Sequence, residues 1–352
     1  MRAVFRTDAS AAIGTGHATR CLALADALHE NGVHCSFVAA GLSPELSAFF
    51  AGAAHPLRLI ETPFDGDQVR DAMAFLAHVP DDTDWVVVDH YGLDARWEST
   101  VRPHARRLLV IDDLADRAHA CDLLLDPGPG RTATDYRPWV PAQATLLLGP
   151  AYALLRPAFA NNHACAPRWP QCRRVHVFVG GGGHRLVLPL LSEALLAIDA
   201  QLFLAAAGAA DAEAMSALDA AFPGRLDWQP RVTDMAAHMG GCSVAVGSPG
   251  GATWERACLG LPSALVATSP NQQPVLGTLA AMGLCTDLGP IGELKPPALR
   301  SALQSFLCDG SRLAEMRERM VRAVDGRGSA RVAALVSGAR VDWGAAPCRS
   351  AP

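Results

Sequence analysis

The chain alternates short apolar runs with segments in which apolar residues recur at the spacing of one helix face. In the first half, the apolar runs predict strands and the periodic segments between them predict helices. Several of these strands are apolar throughout, as expected of parallel strands that are covered on both faces. The first half is therefore predicted to be a doubly wound α/β domain. The predicted strands are Ala3–Thr7, His34–Ala39, Leu57–Glu61, Trp85–His90, Arg107–Asp113, Cys121–Asp126 and Thr145–Gly149, and the helices are His17–Asn31, Gly66–His78 and Asp94–Ala105.

A second α/β series begins near residue 174, after a proline-flanked stretch without a clean period. We predict an N-terminal domain over 1–156, a linker over 157–173, a C-terminal domain over 174–342 and a flexible tail over 343–352. Two such halves imply a cleft between domains, where ligands usually bind. The predicted strands are Arg174–Gly180, Gln201–Gly208, Leu226–Gln229, Cys242–Ser248 and Ser263–Thr268, and the helices are Leu186–Asp199, Asp211–Phe222, Thr253–Leu259, Gln272–Met282 and Ser311–Val324.

Composition narrows the class of protein. Of the 352 residues, 50% are hydrophobic and 18% are charged, which is typical of a globular chain. A net charge of -5 gives no footprint for nucleic acid or for an anionic membrane. No apolar run is long enough to span a bilayer, and the N-terminus has no signal-peptide layout. The ten cysteines include no C-x-x-C pair, so we expect reduced thiols in a cytoplasmic protein. The oligomeric state stays open, and a monomer fits the sequence.

The most informative motif places a histidine between two glycines. The first predicted strand leads into Gly14-x-Gly16-His17, and a helical pattern follows at once. Backbone N–H groups at such a loop–helix junction attract anions, and an imidazole there can move protons near neutral pH. A lone histidine on a surface loop is the plain alternative. The charged Arg6 and Asp8 at the strand exit favour a functional role.

Two familiar nucleotide motifs do not fit this loop. A dinucleotide fingerprint needs a third glycine at position 19, where the chain has Thr19. The next strand ends in Ala39-Ala40, without the acidic residue that would bind a ribose. A P-loop would need Gly-Lys-Ser/Thr, which does not follow either.

Polar residues also follow two later strands of the first half. Asp89 and Tyr91 end one apolar run, and Asp112-Asp113 end the next. The carboxyl ends of parallel strands are where α/β domains place ligands. For Asp89 and Tyr91, ligand binding and simple capping of the next turn are about equally supported. For Asp112 and Asp113, solvation of a loop is favoured.

In the second half, two glycine-containing loops lie between a strand and a helix. One is Gly180–Gly183, and the other is Ser248-Pro-Gly250-Gly251, which leads into Thr253 and Glu255. Glycines let a backbone approach a phosphate closely, and a helix N-terminus favours negative charge. A glutamate one turn into the helix can accept hydrogen bonds from ribose hydroxyls. With Asn271-Gln272 at the next strand end, the pattern indicates nucleotide binding rather than an ordinary first-turn acid.

Taken in order, these motifs resemble those of the UDP-sugar hydrolases of pseudaminic acid biosynthesis, which act on UDP-2,4-diacetamido-2,4,6-trideoxy-β-L-altropyranose and serve flagellin glycosylation. The resemblance covers nearly the whole chain, and its first motif is highly specific. The matching stretches are Arg6–Arg20, Asp89–Gly92, Asp112-Asp113, Cys121–Leu125, Tyr152–Phe159, Gly251–Glu255, Asn271-Gln272 and Asp325–Arg331.

The resemblance implies a GT-B-like fold, with two Rossmann-type domains whose parallel sheets face a central cleft. It implies that UDP lies on the C-terminal domain, that the sugar faces the N-terminal loop, and that His17 is the catalytic base. The implied sugar-binding residues are Gly14, Gly16, Arg20, Asp89, Tyr91 and Arg156, and the implied UDP-binding residues are Gly181, Gly182, Ser248, Gly250, Gly251, Thr253, Glu255, Asn271 and Gln272.

The implied reaction is hydrolysis of a UDP-linked diacetamido-trideoxyhexose at C1 with inversion, releasing UDP and the free sugar. No Asp-x-Asp pair stands in the cleft motifs, so we expect neither a metal nor another cofactor. The chain departs from the family pattern at Gly180–Arg185, where the family has Gly-Gly-Ser/Thr-Asp, and at the bulky Trp254. Two alternatives remain, a GT-B glycosyltransferase that uses a UDP-sugar donor and a binding protein that does not turn the nucleotide sugar over.

Overall fold

The structure, a computed structural model, describes residues 1–8, 14–40, 50, 52–180 and 185–339. The predicted tail 343–352 and the predicted UDP-binding Gly181 and Gly182 lie outside the described residues. The chain divides into two compact units. One comprises Met1–Arg156 together with the chain from Arg327 on, and the other comprises Pro157–Gly326.

The first unit is built on a parallel sheet of seven strands in the order β3-β2-β1-β4-β5-β6-β7. Its strands coincide with the predicted apolar runs, several of which are buried along their whole length. The strands are β1 (Arg2–Thr7), β2 (His34–Ala40), β3 (Leu57–Ile60), β4 (Trp85–Asp89), β5 (Arg107–Ile111), β6 (Leu123–Asp126) and β7 (Thr145–Leu148). The helices are α1 (Gly16–Glu30), α2 (Gln68–Leu76), α3 (Ala95–Val101) and α4 (Ala133–Tyr136), with 3₁₀ turns at Arg102–His104 and Pro150–Tyr152.

Successive side chains of these strands point to opposite faces of the sheet and so enter two separate cores. Phe5 and Val87 pack on the α1 side. Val4 and Val86 pack on the other side, with Trp97 of α3. The same alternation decides where the polar residues at the strand ends go.

The second unit contains a parallel sheet of six strands in the order β10-β9-β8-β11-β12-β13. The strands are β8 (Arg174–Phe178), β9 (Phe203–Ala207), β10 (Leu226–Gln229), β11 (Val244–Gly247), β12 (Ser263–Ala267) and β13 (Thr286–Pro290). The helices are α5 (Pro157–Asn161), α6 (Val187–Leu196), α7 (Ala212–Ala221), α8 (Met235–Gly240), α9 (Gly251–Leu259), α10 (Gln272–Ala281), α11 (Pro296–Cys308) and α12 (Gly310–Ala323), with a 3₁₀ turn at Ile291–Glu293.

The stretch predicted as a linker, 157–173, packs on the second unit instead. It opens with helix α5, whose Phe159 is fully buried. The Arg317 guanidinium of α12 donates to the carbonyl oxygens of Ala164 and Ala166, at 2.7 Å for Ala166. Hydrogen bonds from Arg317, which is distant in sequence, therefore hold the backbone of a segment that has no hydrophobic periodicity of its own.

The last described helix, α13 (Gly328–Ser337), belongs to the first unit, whereas the sequence placed it in the C-terminal domain. Its Val332 and Val336 join the core on the α1 side of the first sheet. A side chain on Gly328 would begin 2.2 Å from the carbonyl oxygen of Ala153, so only glycine permits this close approach. The hydroxyl of Ser329 donates to the carbonyl of Leu155 at 2.9 Å.

Each sheet reverses its strand order once, between β1 and β4 in the first unit and between β8 and β11 in the second. In open parallel sheets, ligands bind outside the carboxyl ends of the strands at such a switch point. The histidine motif follows β1, Asp89 ends β4, and the turn that starts at Ser248 follows β11. The motifs found in the sequence therefore lie at the two positions that this architecture favours for binding.

Candidate active site and nucleotide site

His17 lies in the first turn of α1, directly after the glycine-rich loop. Gly14 has a φ of 80°, in the left-handed region where glycine avoids the strain of a side chain. Gly16 begins the helix, and no atom of the described residues lies within 4 Å of the point where a side chain on it would start. His17 itself is buried, at 8% exposure.

The His17 ring is held by a hydrogen bond with the Asp89 carboxylate. Its Nδ1 lies 2.5 Å from Asp89 Oδ1. Asp89 is 1% exposed, because its odd place in β4 turns it toward α1. The thiol of Cys21, one turn after His17, donates to the same carboxylate at 3.4 Å. Asp89 is thus buried beneath the histidine, away from any surface that a sugar could reach.

Arg20 clamps the same carboxylate from the next turn of α1. Its Nε donates to Asp89 Oδ2 at 2.6 Å and its Nη2 donates to Asp89 Oδ1 at 2.7 Å. Its Nη1 donates to Asp113 Oδ2 at 2.9 Å, which ties β4 to the end of β5. Burial alone would raise the pKa of Asp89, but Arg20 and His17 hold it well below its ordinary value. Asp89 is therefore a permanent carboxylate at neutral pH.

These contacts determine which nitrogen of His17 carries the proton in the neutral ring. Asp89 is an acceptor and the neighbouring Arg20 has only donors, so Nδ1 must hold a hydrogen to bond to Asp89. On the opposite edge of the ring, no described residue forms a hydrogen bond with Nε2, whose lone pair can then accept a proton. A neutral imidazole arranged in this way is a base whose protonated form the carboxylate stabilises.

Tyr91 covers one side of the histidine. The two rings meet edge to face, with centroids 4.7 Å apart. The tyrosine is 44% exposed, so it borders the surface from which a substrate would approach. Burial of its hydroxyl end and the nearby Asp113 carboxylate raise the pKa of Tyr91 above its ordinary value. The phenol therefore keeps its proton, which it shares with the Asp113 carboxylate.

Arg6 and Asp8, the charged residues of the first motif, form a buried network on the other face of the sheet. Arg6 is fully buried and donates to both oxygens of Asp71 in α2, at 3.0 and 2.7 Å. It also forms an ion pair with Asp8, which lies 3.3 Å from His90 Nε2 and accepts from the Ala40 backbone N–H at 2.7 Å. Trp97 donates its indole N–H to Asp71 at 2.8 Å. Arg6 and Asp8 therefore stabilise the end of β1 through buried ion pairs.

A second buried acidic group lies at the ends of β5 and β6. The Tyr136 hydroxyl donates to Asp126 Oδ2 at 2.9 Å and lies 3.1 Å from Asp112 Oδ2. The backbone N–H of Gly128 donates to the other oxygen of Asp126 at 2.6 Å. Burial raises the pKa of Asp126 to about 6, and the carboxylates of Asp113 and Asp112 add to the effect.

This raised pKa predicts a pH-dependent stability. Between the ordinary value near 4 and about 6, the folded chain binds more protons at Asp126 than the unfolded chain does, so stability falls as pH rises through that window. Asp126→Asn is expected to remove this slope and to stabilise the protein at pH 7–8 by on the order of 2 kcal/mol. Denaturant unfolding at several pH values measures it, with the exposed Asp116→Asn as control. An Asp126→Asn variant that loses stability at pH 8 would contradict the assignment.

In the second unit, the turn after β11 presents a backbone suited to an anion. Gly250 has a φ of 150°, which favours glycine, and both Gly250 and Gly251 are exposed at the start of α9. Ser248 and Thr253 are buried at 4% and 3% exposure on either side of them. The N–H of Gly250 donates to Thr253 Oγ1 at 3.2 Å, and the N–H of Thr253 donates to the Gly250 carbonyl at 2.9 Å. These two hydrogen bonds close the turn on Thr253 and leave its glycines exposed.

The remaining predicted contacts lie at separate places in their units. Glu255 is half-buried in α9. Asn271 is exposed at the start of α10, and Gln272 uses its side-chain oxygen to accept from the Thr268 backbone N–H at 2.9 Å. Arg156 ends the first unit and is half-buried. Their roles toward a nucleotide sugar stay predictions. Trp254 lies on the buried face of α9 at 8% exposure, so the helix accommodates its bulk without a break.

Within the described part of the chain, no group of three or more His, Cys, Asp or Glu side chains is placed to hold a metal ion. No helix among the residues described is both long and apolar enough to cross a bilayer. The cysteines of that part are unpaired.

Asp113 belongs to the site, although the sequence does not predict a functional role for it. It was interpreted as one half of a solvated acid pair, yet it binds Arg20 and influences Tyr91. The two acids of the pair separate because Asp112 turns into the core, where it is fully buried, whereas Asp113 turns to the other face. Strand alternation was the signal that could have separated them.

No protein-family model matches the chain. A curated protein, the UDP-2,4-diacetamido-2,4,6-trideoxy-β-L-altropyranose hydrolase of Campylobacter jejuni, is a distant relative, 25% identical over 159 residues. The match covers 45% of this chain and 53% of that hydrolase. The chain thus spans about half the length of the curated relative it matches.

Several solved structures are similar in fold to this chain over nearly its whole length. MurG of Acinetobacter baumannii has a TM-score of 0.66 at 17% identity, covering 96% of this chain and 100% of that chain. The calicheamicin glycosyltransferase CalG4 has 0.62 at 17%, covering 96% and 97%. A putative UDP-N-acetylglucosamine 2-epimerase of Listeria monocytogenes has 0.63 at 13%, covering 96% of both chains. The fold is therefore GT-B-like, with two Rossmann-type α/β units.

Proposed function

We propose that this protein hydrolyses a UDP-linked 2,4-diacetamido-2,4,6-trideoxyhexose at C1, with inversion, to give UDP and the free sugar. The observation that carries the proposal is the His17–Asp89 pair at the switch point of the first sheet, with Nε2 left as the free base. The distant hydrolase relative supports the substrate class. The GT-B-like fold supports the use of a nucleotide sugar in general.

In the proposed reaction, His17 Nε2 takes a proton from a water molecule as the water oxygen forms a bond to C1. The bond between C1 and the β-phosphate oxygen breaks, and its electron pair leaves with UDP. Attack from the face opposite the leaving group inverts the anomeric centre. Asp89 stabilises the imidazolium that forms, and a base positioned in this way accelerates a reaction by about 10²–10⁴-fold.

The structure leads us to divide the first-unit residues into two roles. Asp89 and Arg20, expected from the resemblance to contact the sugar, are better suited to hold His17, since they are engaged with each other and with the ring. Tyr91, exposed beside the ring, remains a candidate sugar contact. Gly14 and Gly16 leave room for water next to the imidazole.

The second unit is proposed to bind UDP. The exposed Gly250–Gly251 backbone at the start of α9 suits a diphosphate, because helix N-termini present N–H groups and a positive dipole end. Glu255, further along α9, is proposed to bind the ribose hydroxyls. The leaving-group charge is then met by backbone and helix rather than by a metal.

A glycosyltransferase that passes the sugar to an acceptor hydroxyl is the second candidate. The similarity to solved glycosyltransferases favours it, and base-assisted attack is alike for water and for an alcohol. A protein that binds the nucleotide sugar without turnover is the third. Only the fate of the substrate separates these three functions.

Incubation with several UDP-2,4-diacetamido-trideoxy sugars in H₂¹⁸O tests the proposal, with products followed by proton NMR and mass spectrometry. We expect UDP and the inverted free sugar without any acceptor, and no ¹⁸O in UDP, because C1–O rather than P–O breaks. A chelator is expected to leave the rate unchanged. Sugar transfer only after an acceptor is added would support the transferase, and binding without release of UDP would support the binding protein.

A further inference from the structure

The second unit contains a buried arginine that uses only part of its hydrogen-bonding capacity. Arg256 of α9 is fully buried. Its Nη2 donates to the Ser248 carbonyl at 2.8 Å and to Thr253 Oγ1 at 3.2 Å, while its Nε and Nη1 have no hydrogen-bond partner among the described residues. Three of its five N–H donors are therefore unused. The carboxylate of the adjacent Glu255 favours the charged form of Arg256.

This guanidinium stays charged. Burial lowers the pKa of Arg256 to about 10, still far above neutral. The neighbouring His176 offers no negative charge, since burial, His238 and Arg256 itself keep the pKa of that imidazole well below its ordinary value. Desolvation outweighs the effect of the Glu255 carboxylate on this buried cation, so a further anion bound near the turn would stabilise it.

The arginine also determines the hydrogen-bonding role of Thr253. Thr253 Oγ1 accepts from Arg256 Nη2 and from the Gly250 N–H, both at 3.2 Å. A hydroxyl has two acceptor lone pairs and one donor hydrogen, so both lone pairs are occupied. Among the described residues, the Thr253 hydroxyl donates to no acceptor within hydrogen-bond distance. Its hydrogen is thus left for a ligand at the adjacent glycine turn.

The space for the guanidinium is kept by a glycine at the end of β11. A side chain on Gly247 would start 2.0 Å from the carbonyl oxygen of Phe178 and 3.0 Å from Arg256 Nη1. The strand end and the arginine therefore pack against each other directly beneath the turn. The Ser248 carbonyl, which opens this turn, points to the arginine and away from the exposed glycines.

We propose that Arg256 is a positioning residue for the diphosphate of the nucleotide sugar, which supplies the turn with buried positive charge and fixes Thr253 as a hydrogen-bond donor to a phosphate oxygen. The inference rests on the proposed function, in which this turn binds UDP. Arg256 does not touch the ligand. It acts through the Ser248 carbonyl, through Thr253 and through its charge.

A residue that merely holds the fold together would affect the binding of all ligands alike. An arginine that serves the diphosphate affects UDP and leaves uridine unchanged. Calorimetry with UDP and with uridine is therefore the test, applied to the wild type, R256M, R256K, T253V and T253S. R225M is the matched control, because Arg225 also donates to backbone carbonyls of the second unit, those of Leu202 and Leu196.

We expect R256M to weaken UDP binding by about 10–100-fold, the size of the charge-assisted hydrogen bond from Thr253 to a phosphate oxygen that Arg256 is proposed to maintain, and uridine binding by less than about 2-fold. T253V is expected to behave like R256M, and the double variant to lose little more, because the two residues act in series. R256K, which keeps the charge, and T253S, which keeps the hydroxyl, are expected to retain most of the preference for UDP. R225M should keep all of it.

The outcomes distinguish a failure of the proposed UDP-binding function from a failure of the proposed role of Arg256. A wild-type protein that does not bind UDP overturns the proposed function. Wild-type binding of UDP, with an equal UDP-to-uridine affinity ratio in R256M, overturns the role of Arg256 alone. If R256M does not fold, R256K and T253V are compared with the wild type instead. A wild-type ratio of UDP affinity to uridine affinity in both variants overturns the inference.

Discussion

Replacing His17 with alanine or with asparagine is expected to lower kcat by about 10²–10⁴-fold, the contribution of a positioned general base. Water would then attack C1 without a group to take its proton. Asparagine is the sharper test, because it can still hydrogen-bond to Asp89 but cannot accept the proton. Hydrolysis is followed by the release of UDP, and UDP affinity is measured by calorimetry.

UDP affinity is expected to stay at the wild-type level in both variants, because His17 lies in the first unit and the proposed nucleotide turn in the second. His34→Ala is the matched control, since His34 is an exposed histidine of the same unit at the start of β2. It should retain full turnover. Wild-type turnover in His17→Asn would remove His17 from the mechanism and with it the assignment of the base.

Replacing Asp89 with asparagine is expected to damage both activity and stability. An amide beside Nδ1 no longer selects the Nδ1–H tautomer or stabilises the imidazolium, so kcat is expected to fall by up to about 10⁴-fold. The same change leaves Arg20 without its buried counter-charge, and breaking a buried ion pair costs about 3–5 kcal/mol. Steady-state kinetics and denaturant unfolding measure the two effects.

The pH dependence of this stability loss is a further check on the same variant. Arg20 and His17 hold the pKa of Asp89 below its ordinary value, so the carboxylate stabilises the folded chain at pH values above about 4. That contribution is lost as pH falls through the lower folded value. The stability difference between wild type and Asp89→Asn should therefore be full at pH 7 and shrink in strong acid.

Asp113→Asn is the matched control for Asp89→Asn. It removes one half-exposed contact to Arg20 and leaves the contact between His17 and Asp89 in place. We expect a stability loss below about 1 kcal/mol and turnover within a few-fold of wild type. Equal kinetic losses in the two variants would mean that Asp89 has no special role toward the histidine.

Much of the fold was predictable because its strands are continuous apolar runs. The run before His17 and the run that ends at Asp89 were predicted as strands, and both are buried parallel strands of the first sheet. Helix α13 and the stretch 157–173 were misplaced, since neither carries a pattern that names its partner. Gly328 against Ala153 and Arg317 on the carbonyls of Ala164 and Ala166 are contacts between residues far apart in the chain.

For the candidate site, too, local features could be predicted and contacts between distant residues could not. The glycine-flanked His17 and the Gly250–Gly251 turn could be found from local sequence, because a loop between a strand and a helix has a local signature. The partners of His17 could not. Asp89 lies 72 positions away, and it meets the imidazole only because β1 and β4 pair in register, with Thr7 opposite Asp89.

By itself, the amino-acid sequence determined that the chain has two α/β units, and it predicted the loop of each one at which a ligand binds. Periodicity and glycine placement are local properties, and local chemistry is enough to express them. Only the tertiary structure decided what surrounds those loops. It buried Asp89 beneath His17 and left Nε and Nη1 of Arg256 without hydrogen-bond partners among the described residues, because such contacts depend on which distant strands and helices become neighbours.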